Sequence, residues 1–117
     1  MEVQVFGSKK HPDVRKALRF FAERRIKTHF VDLAERGPSP GELKRFGQKF
    51  GLRSLIDRGS RRFADLGLSQ AMLSEDRWIE KLCDEPMVLV QPLVRCETRL
   101  TVGLAEGEWK AWVDSRP

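Results

Sequence analysis

The chain has 117 residues with 40% hydrophobic and 33% charged side chains, the make-up of one globular domain and neither a disordered nor a membrane-embedded chain. Its net charge of +5 is uneven: residues 1–62 carry 16 Lys/Arg against 7 Asp/Glu, residues 63–117 carry 6 against 10, so an acidic partner (nucleic acid, an oxyanion or an acidic protein surface) stands beside the plainer reading of a solvated basic face. No apolar run reaches the roughly 18 residues of a membrane helix, Met1–Lys10 has no signal-peptide core, and two cysteines and two histidines, all scattered, exclude a disulfide scaffold and a structural zinc site, so the expected setting is the reducing cytoplasm.

Val3-Gln4-Val5-Phe6 alternates as a short strand that stops at Gly7. After the loop Ser8–His11, Pro12 suits the first turn of a helix, where its missing N–H leaves nothing unpaired. That helix is predicted over Pro12 to about Arg25, with Val14, Ala17, Leu18 and Phe21 as its core stripe and Arg15, Lys16, Arg19 and Glu23 opposite. Thr28–Leu33 reads as a second strand. Ser39-Pro40-Gly41-Glu42 opens the next helix as a capping box, Leu43, Phe46 and Phe50 continue it, and Gly51 ends it. Short helical turns are expected around Arg61–Leu66. A further helix starts at Ser74, puts Trp78, Ile79, Leu82 and Cys83 on one face, and stops before Pro86. Met87-Val88-Leu89-Val90 reads as an apolar strand that pairs with Arg99–Val102 through a turn at Cys96–Thr98, and a last helix carries Trp109, Trp112 and Val113. With no repeat or long linker, the order β-α-β-α-α-α-β-β-α fits a layered α/β domain of thioredoxin-like type over residues 1–117, with a helical insertion at roughly 38–85.

Several stretches, in order and over nearly the whole length, resemble the arsenate reductase family and its Spx-type branch of RNA polymerase-binding regulators. They are Phe6-Gly7-Ser8-Lys9-Lys10 with Arg15-Lys16-Ala17, Pro38-Ser39-Pro40-Gly41-Glu42-Leu43, Leu55-Ile56-Asp57-Arg58, Phe63–Leu68, Glu85–Val94, and Arg99–Leu104 running into Glu108-Trp109-Lys110. The last is closest to the Spx type. The resemblance implies a thioredoxin-like domain with a four-stranded mixed sheet. It also implies where chemistry would sit. The family's nucleophile is a cysteine before the first helix, a place where the helix N-terminus and nearby cations favour a thiolate. The matching residue here is His11. The second cysteine of Spx-type members matches Val14. Of the family's anion-holding arginines Arg58 is kept, while the other two positions are Gln91 and Leu104. An arginine fork pairs with two oxygens of an oxyanion at once, so these departures argue against a working arsenate reductase.

Each remaining residue carries a functional and a plainer reading. His11 would accept a proton or attack phosphorus, or else is a polar surface residue; the weight goes to the latter, since no second catalytic group is identifiable beside it. Lys9, Lys10, His11 and Arg58 would form an anion site with the N–H groups at the start of the first helix, against lysines that are simply solvated. Pro92, matching the family's cis proline, and Gln91 would line a site for a thiol peptide such as glutathione, against a purely architectural kink. Cys83 reads as core. Cys96, beside Arg95 and Arg99, reads as an incidental surface cysteine or an exposed redox-sensitive thiol. Arg15, Lys16 and Arg19, with Lys9, Lys10 and Lys27, make a basic strip that reads as a docking surface for an acidic protein or as a solvated face. Without interleaved aromatics and with no tyrosine in the chain, the strip argues against nucleic acid. Trp109 and Trp112 would anchor a partner or pack onto the sheet.

Three functions follow from different classes. The first is a non-catalytic binding or transcription-regulatory protein, with the RNA polymerase α subunit as the partner that the Spx resemblance supplies. The second is an oxidoreductase or arsenate reductase-like enzyme that borrows its thiol from glutathione. The third and weakest is a nucleic-acid-binding module that uses the basic half. No metal and no resident cofactor are expected.

Overall fold

The computed structural model describes residues 1–116. Its regular elements run β1 (Glu2–Gly7), α1 (Pro12–Glu23), β2 (Lys27–Asp32), α2 (Pro40–Phe50), α3 (Arg61–Asp65), α4 (Glu75–Asp84), β3 (Leu93–Cys96), β4 (Arg99–Val102) and α5 (Glu106–Asp114). The four strands form one mixed sheet in the order β2-β1-β3-β4, with β3 antiparallel to both of its neighbours. Phe6 pairs with Leu93 and Gln4 with Arg95, while Leu93 pairs with Val102 and Cys96 with Arg99.

The chain divides into two compact units, residues Met1–Val31 with the chain from Gln91 onward, and Asp32–Val90. In the sheet unit the core is a single cluster of Val3, Val5, Ala17, Phe20, Phe21, Ile26, Val94, Cys96, Trp109 and Trp112. Burying side chains of this size contributes roughly 1.5–3 kcal/mol each. Trp109, entirely enclosed, meets the rings of Phe20 and Phe21 at centroid separations of 5.6 and 5.3 Å. Its indole N–H donates to the Thr101 hydroxyl at 2.7 Å, which satisfies a polar atom that burial would otherwise penalise. Trp109 and Trp112 thus pack inward and leave no aromatic anchor on that helix for a partner.

The helical unit follows its capping signals closely. Ser39 accepts from the Glu42 N–H while Glu42 reaches back to the Ser39 N–H, and Gly51 leaves α2 at φ +83°. The Ser60 and Ser74 hydroxyls cap α3 and α4 by accepting from the Phe63 and Arg77 N–H groups. Leu82 is the buried residue of α4, with Trp78, Ile79 and Cys83 half-buried.

Two expectations are corrected. Met87–Val90 is not a sheet strand: Pro86–Val88 is a 3-10 turn, and Leu89 makes only an isolated bridge to Ile56. Its backbone groups are used within the helical unit, where the Asp57 N–H donates to Val88 O and the Val90 N–H to Leu55 O, both at 2.8 Å. A short continuous apolar run does not reveal by period whether it is sheet or another buried segment. The partner of Arg99–Val102 is therefore Leu93–Cys96, beyond Pro92. The second correction concerns Cys96. It ends β3 inside the core, so it is neither a surface cysteine nor an exposed redox-sensitive thiol.

Candidate functional site

The loop between β1 and α1 closes on itself through a chain of short-range bonds. Buried Ser8 donates its N–H to Gln91 Oε1 at 2.7 Å, and its own oxygens accept from two later residues, Oγ from the Lys10 N–H at 3.3 Å and the carbonyl from the His11 N–H at 2.9 Å. His11 is the N-cap of α1: its backbone is extended and its Nδ1 accepts from the Asp13 N–H at 3.1 Å. A nitrogen that accepts carries no proton, so the neutral ring holds its proton on Nε2. Pro12 has no N–H. The donors of Ser8, Lys10, His11 and Asp13, to which an anion at a helix start would turn, therefore have partners within the protein.

The cations around this loop are also partly engaged. Lys9 and Lys10 are exposed, with Lys9 Nζ 5.3 Å from the centre of the Phe30 ring. Arg15 donates from its guanidinium to the Lys9 carbonyl at 2.8 Å, and Lys16 lies 3.9 Å from the Asp13 carboxylate. Arg19 is exposed on the same helix. Arg58 belongs to the helical unit, with its guanidinium 5.7 Å from the centre of the Phe63 ring.

Val14 is fully buried, and its methyl groups lie so close to the Gly7 backbone that a Cβ on Gly7 would overlap them. Gly7→Ala is expected to cost about 2 kcal/mol in urea unfolding, the usual scale for forcing a methyl into a packed core. A Gly7→Ala/Val14→Ala double variant should show strong non-additivity, because the second change removes the obstruction. Independent effects of the two substitutions would mean that they do not share this contact.

At the far side of the loop the Gln91–Pro92 bond is cis, in agreement with what the family resemblance implies for Pro92. Gln91 is 5% exposed. The Pro92 carbonyl accepts from the Gly103 N–H at 2.8 Å, which ties this corner to the segment after β4 where exposed Leu104 sits. His11, Val14, Gln91, Pro92 and Leu104 thus all belong to the sheet unit, and Ser8, Asp13 and Gly7 join them as residues that sequence reasoning missed. Only one signal pointed there: the residue before a first-turn proline is an N-cap.

Neither thiol lies in the loop. The Cys83 thiol is pushed up by burial and by the Asp84 and Glu42 carboxylates, which keeps it protonated. No group of three or more His, Cys, Asp or Glu among the described residues is arranged to hold a metal ion. No helix among them is long and apolar enough to cross a membrane.

The solved structures of two proteins share this fold. The YFFB (PA3664) protein superposes with a TM-score of 0.83 at 23% identity, over 93% of this chain and 96% of that one. Arsenate reductase from Vibrio cholerae superposes with a TM-score of 0.78 at 23% identity, over 92% and 94%. In sequence, arsenate reductase of Neisseria meningitidis is 31% identical over 107 residues, 87% of this chain and 90% of that protein. The Bacillus subtilis protein YusI is 28% identical over 100 residues, 82% of this chain and 85% of its own. The pattern of the ArsC family matches residues 6–112, and with the arrangement of sheet, loop and cis proline described above, the chain belongs to that family.

Proposed function

We propose that this chain is a non-catalytic ArsC-family protein of the bacterial cytoplasm that acts by binding, in the manner of the Spx-type regulators it resembles. The observation that carries this reading is the use of His11. At the position that resemblance assigns to the nucleophilic cysteine, the ring is an N-cap: Nδ1 accepts the Asp13 N–H, and the remaining nitrogen is a donor. A ring used as a helix cap in this way has its Nδ1 lone pair engaged with the backbone and is not poised to attack arsenic. Buried Val14, engaged loop donors and Gln91 in place of an arginine support the same conclusion.

On this reading the exposed residues of α1, Arg15, Lys16 and Arg19, meet an acidic protein surface, and the RNA polymerase α subunit is the first partner to test. The purified α subunit should bind the natural chain and lose about tenfold in affinity for a Lys16→Glu/Arg19→Glu variant, as expected when close charge pairs at an interface are reversed. Equal binding by both would remove α1 as the docking face. Arsenate reduction with glutathione as electron donor should not exceed the rate without protein. Turnover that survives in a Cys83→Ser/Cys96→Ser variant would replace this reading with the second one, an enzyme that uses an external thiol held at Gln91 and Pro92.

A further inference from the structure

A groove of about 800 Å³ lies wholly within the helical unit, between the end of α2, the 3-10 turn Leu52–Leu55 and the segment Ala71–Ser74 that leads into α4. That volume is within the range of ordinary binding clefts. Phe50, Leu52 and half-buried Trp78 give it an apolar lining, and Met72 stands at its margin with 98% of its surface in water. An unpacked methionine is a flexible, polarizable side chain that adapts to a variety of apolar shapes. The Trp78 indole N–H has no hydrogen-bond partner among the described residues. Arg53 and Arg58 line the same groove and form no ion pair among the described residues; Glu75 is the one acidic residue of the lining.

We propose that this groove docks an acidic peptide segment that carries one large apolar side chain. The two arginine forks select carboxylates, and the apolar lining of the same groove takes the anchor. A small inorganic anion would leave that lining unused. A polyanion such as nucleic acid is disfavoured, because residues 32–90 hold ten Lys/Arg against ten Asp/Glu, and a long phosphate chain would meet repulsion beyond the groove. The proposal is independent of what the His11 loop does, and it draws Arg58 into peptide recognition.

The test uses a fluorescein-labelled nonapeptide, glutamates flanking a central phenylalanine, followed by fluorescence anisotropy on the full chain. Binding is expected with a dissociation constant on the order of micromolar to tens of micromolar, weakening with added salt. Arg53→Glu/Arg58→Glu and, separately, Met72→Glu should each weaken it by about tenfold or more, as should serine in place of the peptide's phenylalanine. All three substituted residues are exposed, so neither variant disturbs the core. Lys110→Glu, exposed on α5, should leave binding unchanged. No binding up to about 1 mM peptide, binding indifferent to the groove variants, or equal binding of a lysine-flanked peptide or a single-stranded oligonucleotide would each overturn the proposal.

Discussion

Gly37→Ala is expected to lower the stability of the protein by about 3 kcal/mol, at the upper end of what an extra methyl costs in a filled site. Gly37 lies between β2 and α2, and a Cβ there would overlap the carbonyl oxygen of Cys83 and stand 3.1 Å from its carbon. The obstruction is backbone in the last turn of α4, so no side-chain rotation relieves it. Against the 5–15 kcal/mol by which domains are usually stable, a loss of this size shifts the urea midpoint visibly. Gly41→Ala is the matched control. It sits in the first turn of α2 with open space around the added methyl, and alanine there should be neutral or better by about 0.5–1 kcal/mol. If the two variants unfold at the same urea concentration, the close approach of Gly37 to α4 is wrong.

Trp109→Ala should cost about 4 kcal/mol, the scale for emptying a large aromatic site. The residue lies at the centre of the sheet unit's core, touching Phe20 and Phe21, and its N–H reaches Thr101. Thr101→Val isolates the polar part of that effect. It leaves the buried indole N–H without an acceptor and should cost about 2 kcal/mol. Trp109→Phe combined with Thr101→Val removes donor and acceptor together, and should destabilise by clearly less than the two single variants summed. Simple additivity in that cycle would show that the Trp109–Thr101 bond contributes nothing of its own.

Most of the fold was legible because local chemistry and tertiary demand agree. Pro12, Ser39 with Glu42, Gly51 and Ser74 mark helix ends by satisfying or omitting particular N–H groups, and each stands where that logic places it. The family pattern added the sheet and the cis proline. What failed were segments whose fate depends on distant backbone. Met87–Val90 is apolar enough for a strand, but its hydrogen bonds go to Leu55 and Asp57, a choice made by tertiary geometry alone. Cys96 looked exposed because arginines flank it at positions 95 and 99, yet a strand sends alternate side chains to opposite faces, and this one points into the core. In the loop, the sequence revealed which residue types stand at positions 11 and 14. It could not reveal that the histidine nitrogen nearer the backbone is already bound, or that Val14 is packed against Gly7.

That last contact bears on evolutionary reversibility. A cysteine at position 14 would be buried against the Gly7 backbone and screened from solvent, so on its own it would restore no exposed thiol. Position 11 is different. Its side chain is half-exposed and already faces an amide donor at the head of a helix, which is the environment a thiolate wants. A sulfur at position 11 must therefore come first, and one at position 14 gains chemistry only after it.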